Sequence, residues 1–142
     1  MANWYGATRT NYFKVKDEQR YQALFNRLKG DEDTVEDFTR TTDGETWHAF
    51  GCYSDIFFMP ETINDDDEPV DFQEFLKSIA DILTDDSCFV ITCIGNEKLR
   101  YLTGVCQMAF PDGTIVYESL DWFALRKAKE HFGKDYTLYL DY

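Results

Sequence analysis

Two imidazoles, four thiols and 27 carboxylates are the groups in this 142-residue chain whose types suit catalysis or ligation. His48 lies in a strand-like pattern between Trp47 and Ala49. His131 lies near the end of an amphipathic helix pattern, where the helix dipole favours a cationic ring. Both positions are ordinary for a structural histidine. No G-x-S-x-G, H-E-x-x-H or adjacent Cys–His pair supplies an activated nucleophile or a metal-bound water. The dispersed glycines form no phosphate cradle. Cys52, Cys88, Cys93 and Cys106 contain no C-x-x-C, and Cys88 and Cys93, on one strand, would point to opposite faces. The acidic run Asn64-Asp65-Asp66-Asp67-Glu68 invites a calcium loop. A frame starting at Asp65, however, places Val70 where the glycine is required and Leu76 where the final Glu is required. The expectation is therefore a protein without cofactor, metal or catalytic residues.

What the carboxylates do instead is concentrate. Residues 31–86 hold 18 of the 27 acids and only two bases, Arg40 and Lys77, a formal charge of −16, while the flanks together carry +3. The net charge of −13 is thus the property of one central block. Such a charge argues against direct binding to nucleic acid, which needs Lys and Arg to displace counterions, and against an anionic membrane surface. It suits attraction to a basic protein surface. The candidate partner-binding residues are Asp31, Glu32, Asp33, Glu36 and Asp37 in one segment, Asp65, Asp66, Asp67 and Glu68 in a second, and Asp71, Glu74 and Asp81 on a helix. A row of carboxylates on a rigid surface can compete for a row of Lys and Arg that otherwise matches phosphates. A solvated, solubilising surface is the plainer account of the same residues.

With 44% hydrophobic residues, including 12 Phe and 9 Tyr, the chain has the material for one core, and a chain of this size can bury about 70% of its unfolded surface. A single domain over residues 1–142 follows. No apolar run reaches the roughly 18 residues of a membrane span, and the first residues show no apolar signal segment. Reduced thiols and a cytoplasmic location are the expectation.

Phe13 and Val15 alternate with Lys14 and Lys16, a short strand. Asp17 caps a helix over 18–29, with Tyr21, Leu24, Phe25 and Leu28 on one face and Gly30 as its stop. Asp43-Gly44 marks a type I′ hairpin. The return strand runs on to Gly51, a candidate bulge, and Tyr53–Met59 reads as strand up to Pro60. Pro69 suits the first turn of a helix over 70–83, whose stripe is Phe72, Phe75, Leu76, Ile79 and Leu83. Asp81 opposes the dipole at the far end of that helix. Cys88–Ile94 is an apolar strand, Gly95-Asn96 a turn and Leu99–Phe110 a long strand, with Gly104 a second candidate bulge. Pro111-Asp112-Gly113 is a turn, and Thr114–Tyr117 the return strand. Ser119 or Asp121 caps a third helix with Trp122, Leu125, Ala128 and Phe132 inward, Arg126, Lys127 and Lys129 outward, and Gly133 as its stop. Tyr136–Leu140 reads as a last strand. The sum is an α+β domain, with about three helices packed on one face of a mainly antiparallel sheet.

The opening Met1-Ala2-Asn3-Trp4, leading to Asn11-Tyr12-Phe13-Lys14-Val15, resembles the start of small ferredoxin-like proteins carried by phages and plasmids. Size and acidity are similar to those of anti-CRISPR and anti-restriction inhibitors from such elements. The resemblance implies a ferredoxin-like plan with extra strands and an inhibitory role in the host cytoplasm. It transfers no residue beyond the acidic block. The expected function is a non-enzymatic nucleic-acid mimic that blocks a basic surface of a host defence complex. The alternatives are a small-molecule-binding or enzymatic α+β domain, with a pocket that includes His48, and a plain interaction module.

Overall fold

The computed structural model describes residues 4–62, 64 and 66–139. Its elements, in order, are β1 (Trp4–Thr10), α1 (Glu18–Phe25), β2 (Leu28–Gly30), β3 (Glu36–Asp37), β4 (Arg40–Thr42), β5 (Glu45–Trp47), β6 (Phe50–Cys52), β7 (Ile56–Phe58), α2 (Phe72–Ile82), β8 (Phe89–Glu97), β9 (Arg100–Ala109), β10 (Ile115–Ser119) and α3 (Leu120–Phe132). The chain is a single α+β domain. Six strands form one sheet in the order β10-β9-β8-β1-β6-β3, and β2-β7 and β4-β5 form two separate ribbons. Every pairing is antiparallel.

The core lies between one face of this sheet and α1, α2 and the β2–β7 ribbon. Phe13, Phe50, Phe58, Phe75, Phe89, Leu76, Ile79, Ile82 and Leu83 are fully enclosed. Phe75 makes edge contacts with Phe50, Phe58 and Phe89 at centroid distances of 5.2–6.2 Å, the geometry in which the positive ring edge meets a negative face. The helix expected over 70–83 is therefore the centre of the core. It spans Phe72–Ile82, because Asp71 is its N-cap and accepts from the Gln73 amide. Pro69 precedes that cap, outside the first turn; the neighbouring Val70 bridges back to Phe58.

Several local signals resolve as read. Asp17 caps α1 through the Arg20 amide. Asp43 and Gly44 take φ of 54° and 79° between β4 and β5, and Ser119 caps α3. Others are overruled by pairing. The first helix ends at Phe25, with Asn26 as its C-cap. Leu28 to Gly30 then leave helical geometry to pair with Phe58 to Ile56, so Gly30 is a strand residue and not a helix stop. The main N-terminal strand is Trp4–Thr10, while Phe13 and Val15 make only single bridges, to His48 and Leu83. Gly95-Asn96 is not a turn: both residues pair with β1, a register shift lies between Gly95 and Glu97, and the reversal falls at Lys98, with φ of 57°. Gly51 and Gly104 sit in regular ladders, so neither marks a bulge. At Gly51 a Cβ would lie 2.9 Å from the Thr8 carbonyl oxygen, so the residue is small because β1 passes so close.

The last part departs most from expectation. Leu120 follows the N-cap Ser119 directly, so no loop carries α3 around to the core side. The Ile94–Gly104 pair lies on the sheet face opposite the core residues Phe89 and Ile91, and Leu120 occupies the space a Cβ on Gly104 would take. The first turn of α3 therefore packs on the other face of the sheet, and no residue of α3 is buried. Tyr136–Tyr139 form no strand, and Leu140 lies outside the described residues.

Candidate functional site

The acidic segments are positioned by the β2–β7 ribbon. At one end of it the Asp31 amide donates to the Asp55 carbonyl, and at the other the Met59 amide donates to the Arg27 carbonyl. Residues 31–37 leave the first end and run to β3, the edge of the large sheet. The chain leaves the second after Met59 and is back at the ribbon where Val70 bridges Phe58. Three residues at about 3.3 Å each separate the two exits by roughly 10 Å. The segment leaving the first end carries Asp31, Glu32 and Asp33 and then Glu36 and Asp37 on β3, and the segment leaving the second carries Asp66, Asp67 and Glu68. Asp65 lies outside the described residues. Of the other eleven candidate carboxylates, ten are exposed and Asp67 is half-buried.

Local hydrogen bonds hold several of them. Asp33 accepts from the Thr34 amide at 2.8 Å, Asp37 from Thr39 at 2.8 Å and Asp67 from Asn64 at 2.7 Å. Amide donors of this kind orient a carboxylate without neutralising it. Asp71, expected on the exposed face of α2, lies just outside the helix with its carboxylate turned onto the Gln73 amide at 3.0 Å. Glu74 is on the first turn of α2 and exposed. Asp81 has a counter-charge that sequence spacing did not reveal: the Arg20 guanidinium of α1 lies 3.9 Å away. With both side chains more than half exposed, that pair contributes at most about 1 kcal/mol. Among the described residues no other candidate carboxylate forms an ion pair. Arg40 is directed over the Tyr12 ring at 4.3 Å. Nearby Arg27 stacks on Phe58 at 4.0 Å and donates to the Met59 carbonyl.

A polar cluster of another kind surrounds His48, which is 5% exposed. Its Nε2 lies 2.7 Å from Glu18 Oε2 and its Nδ1 lies 3.0 Å from Thr39 Oγ1. The ring stacks on Tyr21 at 4.0 Å. The hydroxyl–imidazole–carboxylate order resembles a nucleophile relay, but the imidazole is enclosed by aromatic rings. Both its nitrogens are engaged, so it ties α1 to the segment between β5 and β6. Burial pushes the Tyr21 phenol up, and the charges of Asp37 and Glu18 add to the shift. Glu18, Thr39 and His48 are far apart in sequence and share no periodicity, so no pattern in the chain marked them as neighbours.

The clefts lie elsewhere. One of about 310 Å³ lies between the sheet and the start of α2, lined by Ile56, Phe57, Phe72 and Ile91 among others, with Cys93 and Asp55 in its wall. The Cys93 thiol donates to Asp55 at 3.2 Å. Burial raises its pKa, and the hydrogen bond and negative charge of Asp55 add to that rise against a lowering contribution from Thr8, so the nucleophilic thiolate is disfavoured. All four cysteines are free. Among the described residues no three His, Cys, Asp or Glu side chains converge as a metal-ligand set, and no helix is long and apolar enough to cross a membrane. No protein-family model, curated protein or solved structure matches the chain.

Proposed function

We propose that this protein is a non-enzymatic binding protein whose carboxylates occupy a basic, nucleic-acid-binding surface of a host defence complex, in the manner of an anti-CRISPR or anti-restriction inhibitor. One observation carries the reading. Apart from the half-buried Asp67, the carboxylates of the 31–37 and 66–74 segments are exposed, and among the described residues no cation pairs with them. A protein that needed its acids only for internal structure would pair more of them. Placement supports it as well: the two acidic segments leave opposite ends of one paired ribbon, ends that lie roughly 10 Å apart, and the first of them is held again where Glu36 and Asp37 pair with β6. Residual fields of this kind raise encounter rates by on the order of 10–10³ at low salt.

The test is capture of partners from the natural host with wild type and with a variant carrying Asp31→Asn, Glu32→Gln and Asp33→Asn. The expected partner is a nucleic-acid-binding complex. Wild-type protein should displace its DNA or RNA, and the displacement should weaken steeply from 0.05 to 0.5 M salt and in the variant. Tight, saturable binding of the protein itself to DNA or RNA at physiological salt would overturn the proposal. So would displacement unchanged in a folded variant.

A further inference from the structure

The core side of the large sheet is not covered to its end. Gln107 opposes Ile91 on β8 and Tyr117 on β10, so these three share the face that carries Phe89, Ala109 and Ile115 two residues along. Phe89 and Ala109 are completely enclosed, whereas Gln107 is half-buried and Tyr117 is 57% exposed. The cleft of about 310 Å³ lies over this uncovered row. The start of α2 contributes Phe72 to its lining and β7 contributes Phe57, with Asp55 just before that strand.

The chemistry of the cleft is one-sided. Among the described residues Asp55 is the one charged group of its lining, and no cation pairs with it. The Cys93 thiol donates to its Oδ1 at 3.2 Å, a weak bond that leaves the charge in place. The Gln107 side-chain carbonyl and the Tyr117 hydroxyl are further acceptors in the lining. The helix dipole at the start of α2 is already answered by Asp71, its cap, and by Glu74 in its first turn. An apolar cleft with a few polar groups is the usual form of a binding site, and about 300 Å³ is the lower end of the size range.

Charge complementarity makes the occupant a cation with an apolar stem. The aromatic lining narrows it to a guanidinium, which is planar and weakly hydrated, stacks on rings and meets a carboxylate through two donors, where an ammonium is a strongly hydrated point charge. The chain uses the same contact internally: Arg9 and Arg27 lie over Phe38 and Phe58 at 4.0 Å, and Arg40 lies over Tyr12 at 4.3 Å. The cleft also adjoins the acidic surface. The Asp55 carbonyl accepts from the Asp31 amide at 2.9 Å, where the segment carrying Asp31, Glu32 and Asp33 begins. Exposed carboxylates of that kind steer a basic partner and set its rate of approach more than its affinity. Affinity comes from a few anchors seated in desolvated pockets, and arginine is among the side chains enriched there.

Resting on the function proposed above, we propose that this cleft is the socket for one arginine side chain of the basic partner. The stem lies against Phe57, Phe72 and Val105, and the guanidinium meets Asp55 and the Tyr117 ring.

Backbone amide NMR shifts test the socket without the partner. The probes are N-acetylarginine amide and N-acetyllysine amide, added at low salt to the full chain, to Asp55→Asn, and to the variant carrying Asp31→Asn, Glu32→Gln and Asp33→Asn. Circular dichroism establishes that each variant is folded; Asp55 is exposed and outside the core. The arginine probe should give saturable shifts at Asp55–Phe57, Phe72 and Gln107, with a dissociation constant in the millimolar range, and the lysine probe should bind several-fold more weakly. Asp55→Asn should weaken the arginine probe about fivefold, the scale of one partly exposed ion pair. The triple variant should hold it within about twofold, because its changes lie outside the cleft lining and exposed charges are screened within a Debye length. No saturation, shifts spread over the whole acidic surface, equal binding of the two probes, or an unchanged constant in Asp55→Asn overturns the proposal. With the captured partner, Asp55→Asn should also weaken displacement of its DNA or RNA, and unchanged displacement removes the socket from that complex. A wild type that binds the arginine probe but displaces nothing overturns the functional reading and leaves the arginine site standing.

Discussion

Replacing Asp71 with alanine removes two things: the oxygen that accepts from the Gln73 amide at 3.0 Å and a negative charge at the positive end of α2. Replacing it with asparagine removes only the charge, since the amide oxygen still accepts. Loss of a capping oxygen costs about 1 kcal/mol, and loss of a favourable charge at a helix N-terminus a further 0.3–1 kcal/mol, approximately. Asp71→Ala should therefore destabilise by about 1.3–2 kcal/mol and Asp71→Asn by about 0.3–1 kcal/mol. At about 2–4 °C per kcal/mol for a domain of this size, the melting temperature should fall by roughly 3–8 °C and 1–4 °C. The loss should register in full, because α2 carries Phe75, Leu76 and Ile79 into the centre of the core. Urea melts at pH 7 with the two variants and Asp71→Ser, which caps without charge, complete the comparison. Serine should match asparagine. Equal destabilisation by alanine and asparagine would refute the capping argument. If Asp71 also contributes to partner binding, asparagine and alanine should weaken affinity by the same factor despite their different stabilities. Unchanged affinity in the asparagine variant would remove Asp71 from the acidic surface.

Leu76→Asp should leave the chain unfolded by circular dichroism, because Leu76 is completely enclosed and an unpaired carboxylate there has neither water nor a cation; a cooperative melt would contradict the core assignment. Gly30→Ala should cost about 1–3 kcal/mol in urea melts, because its Cβ would meet the Asp33 carbonyl oxygen and lie 2.7 Å from Cys52 Sγ; a neutral result would mean that the bend bearing Asp31, Glu32 and Asp33 yields freely. Asp86 is held below the usual carboxylate range by hydrogen bonds from Thr84 and Lys14 and by the Lys14 charge. A depressed folded pKa stabilises above the unfolded value, near 3.9, and that contribution is lost as pH falls through the folded pKa. Thr84→Val should therefore lower stability at pH 6 and leave it less changed at pH 2, as read by melts across that range; an equal loss at both pH values would exclude the linkage.

Local chemistry was legible in the sequence wherever a side chain answers to its near neighbours. Asp17 and Ser119 cap helices, Asp43-Gly44 turns a hairpin, Gly113 reverses the chain with φ of 90°, and the apolar stripe of α2 fills the core. Each depends on contacts within a few residues or on a period of 3.6, and the α+β class follows from their order. The concentration of carboxylates in residues 31–86 is likewise a property of the chain. What the sequence left open depends on which distant segments meet. Leu28–Gly30 would continue a helix in isolation, but Phe58 to Ile56 claim their backbone groups. Gly95-Asn96 has turn residues, but β1 pairs with both. Trp122 and Leu125 have the spacing of a core stripe, yet strand parity at Leu120 starts α3 on the far side of the sheet. Periodicity shows that a helix has an apolar face. The direction of that face is set by the strand that feeds the helix, and only the tertiary structure decided it.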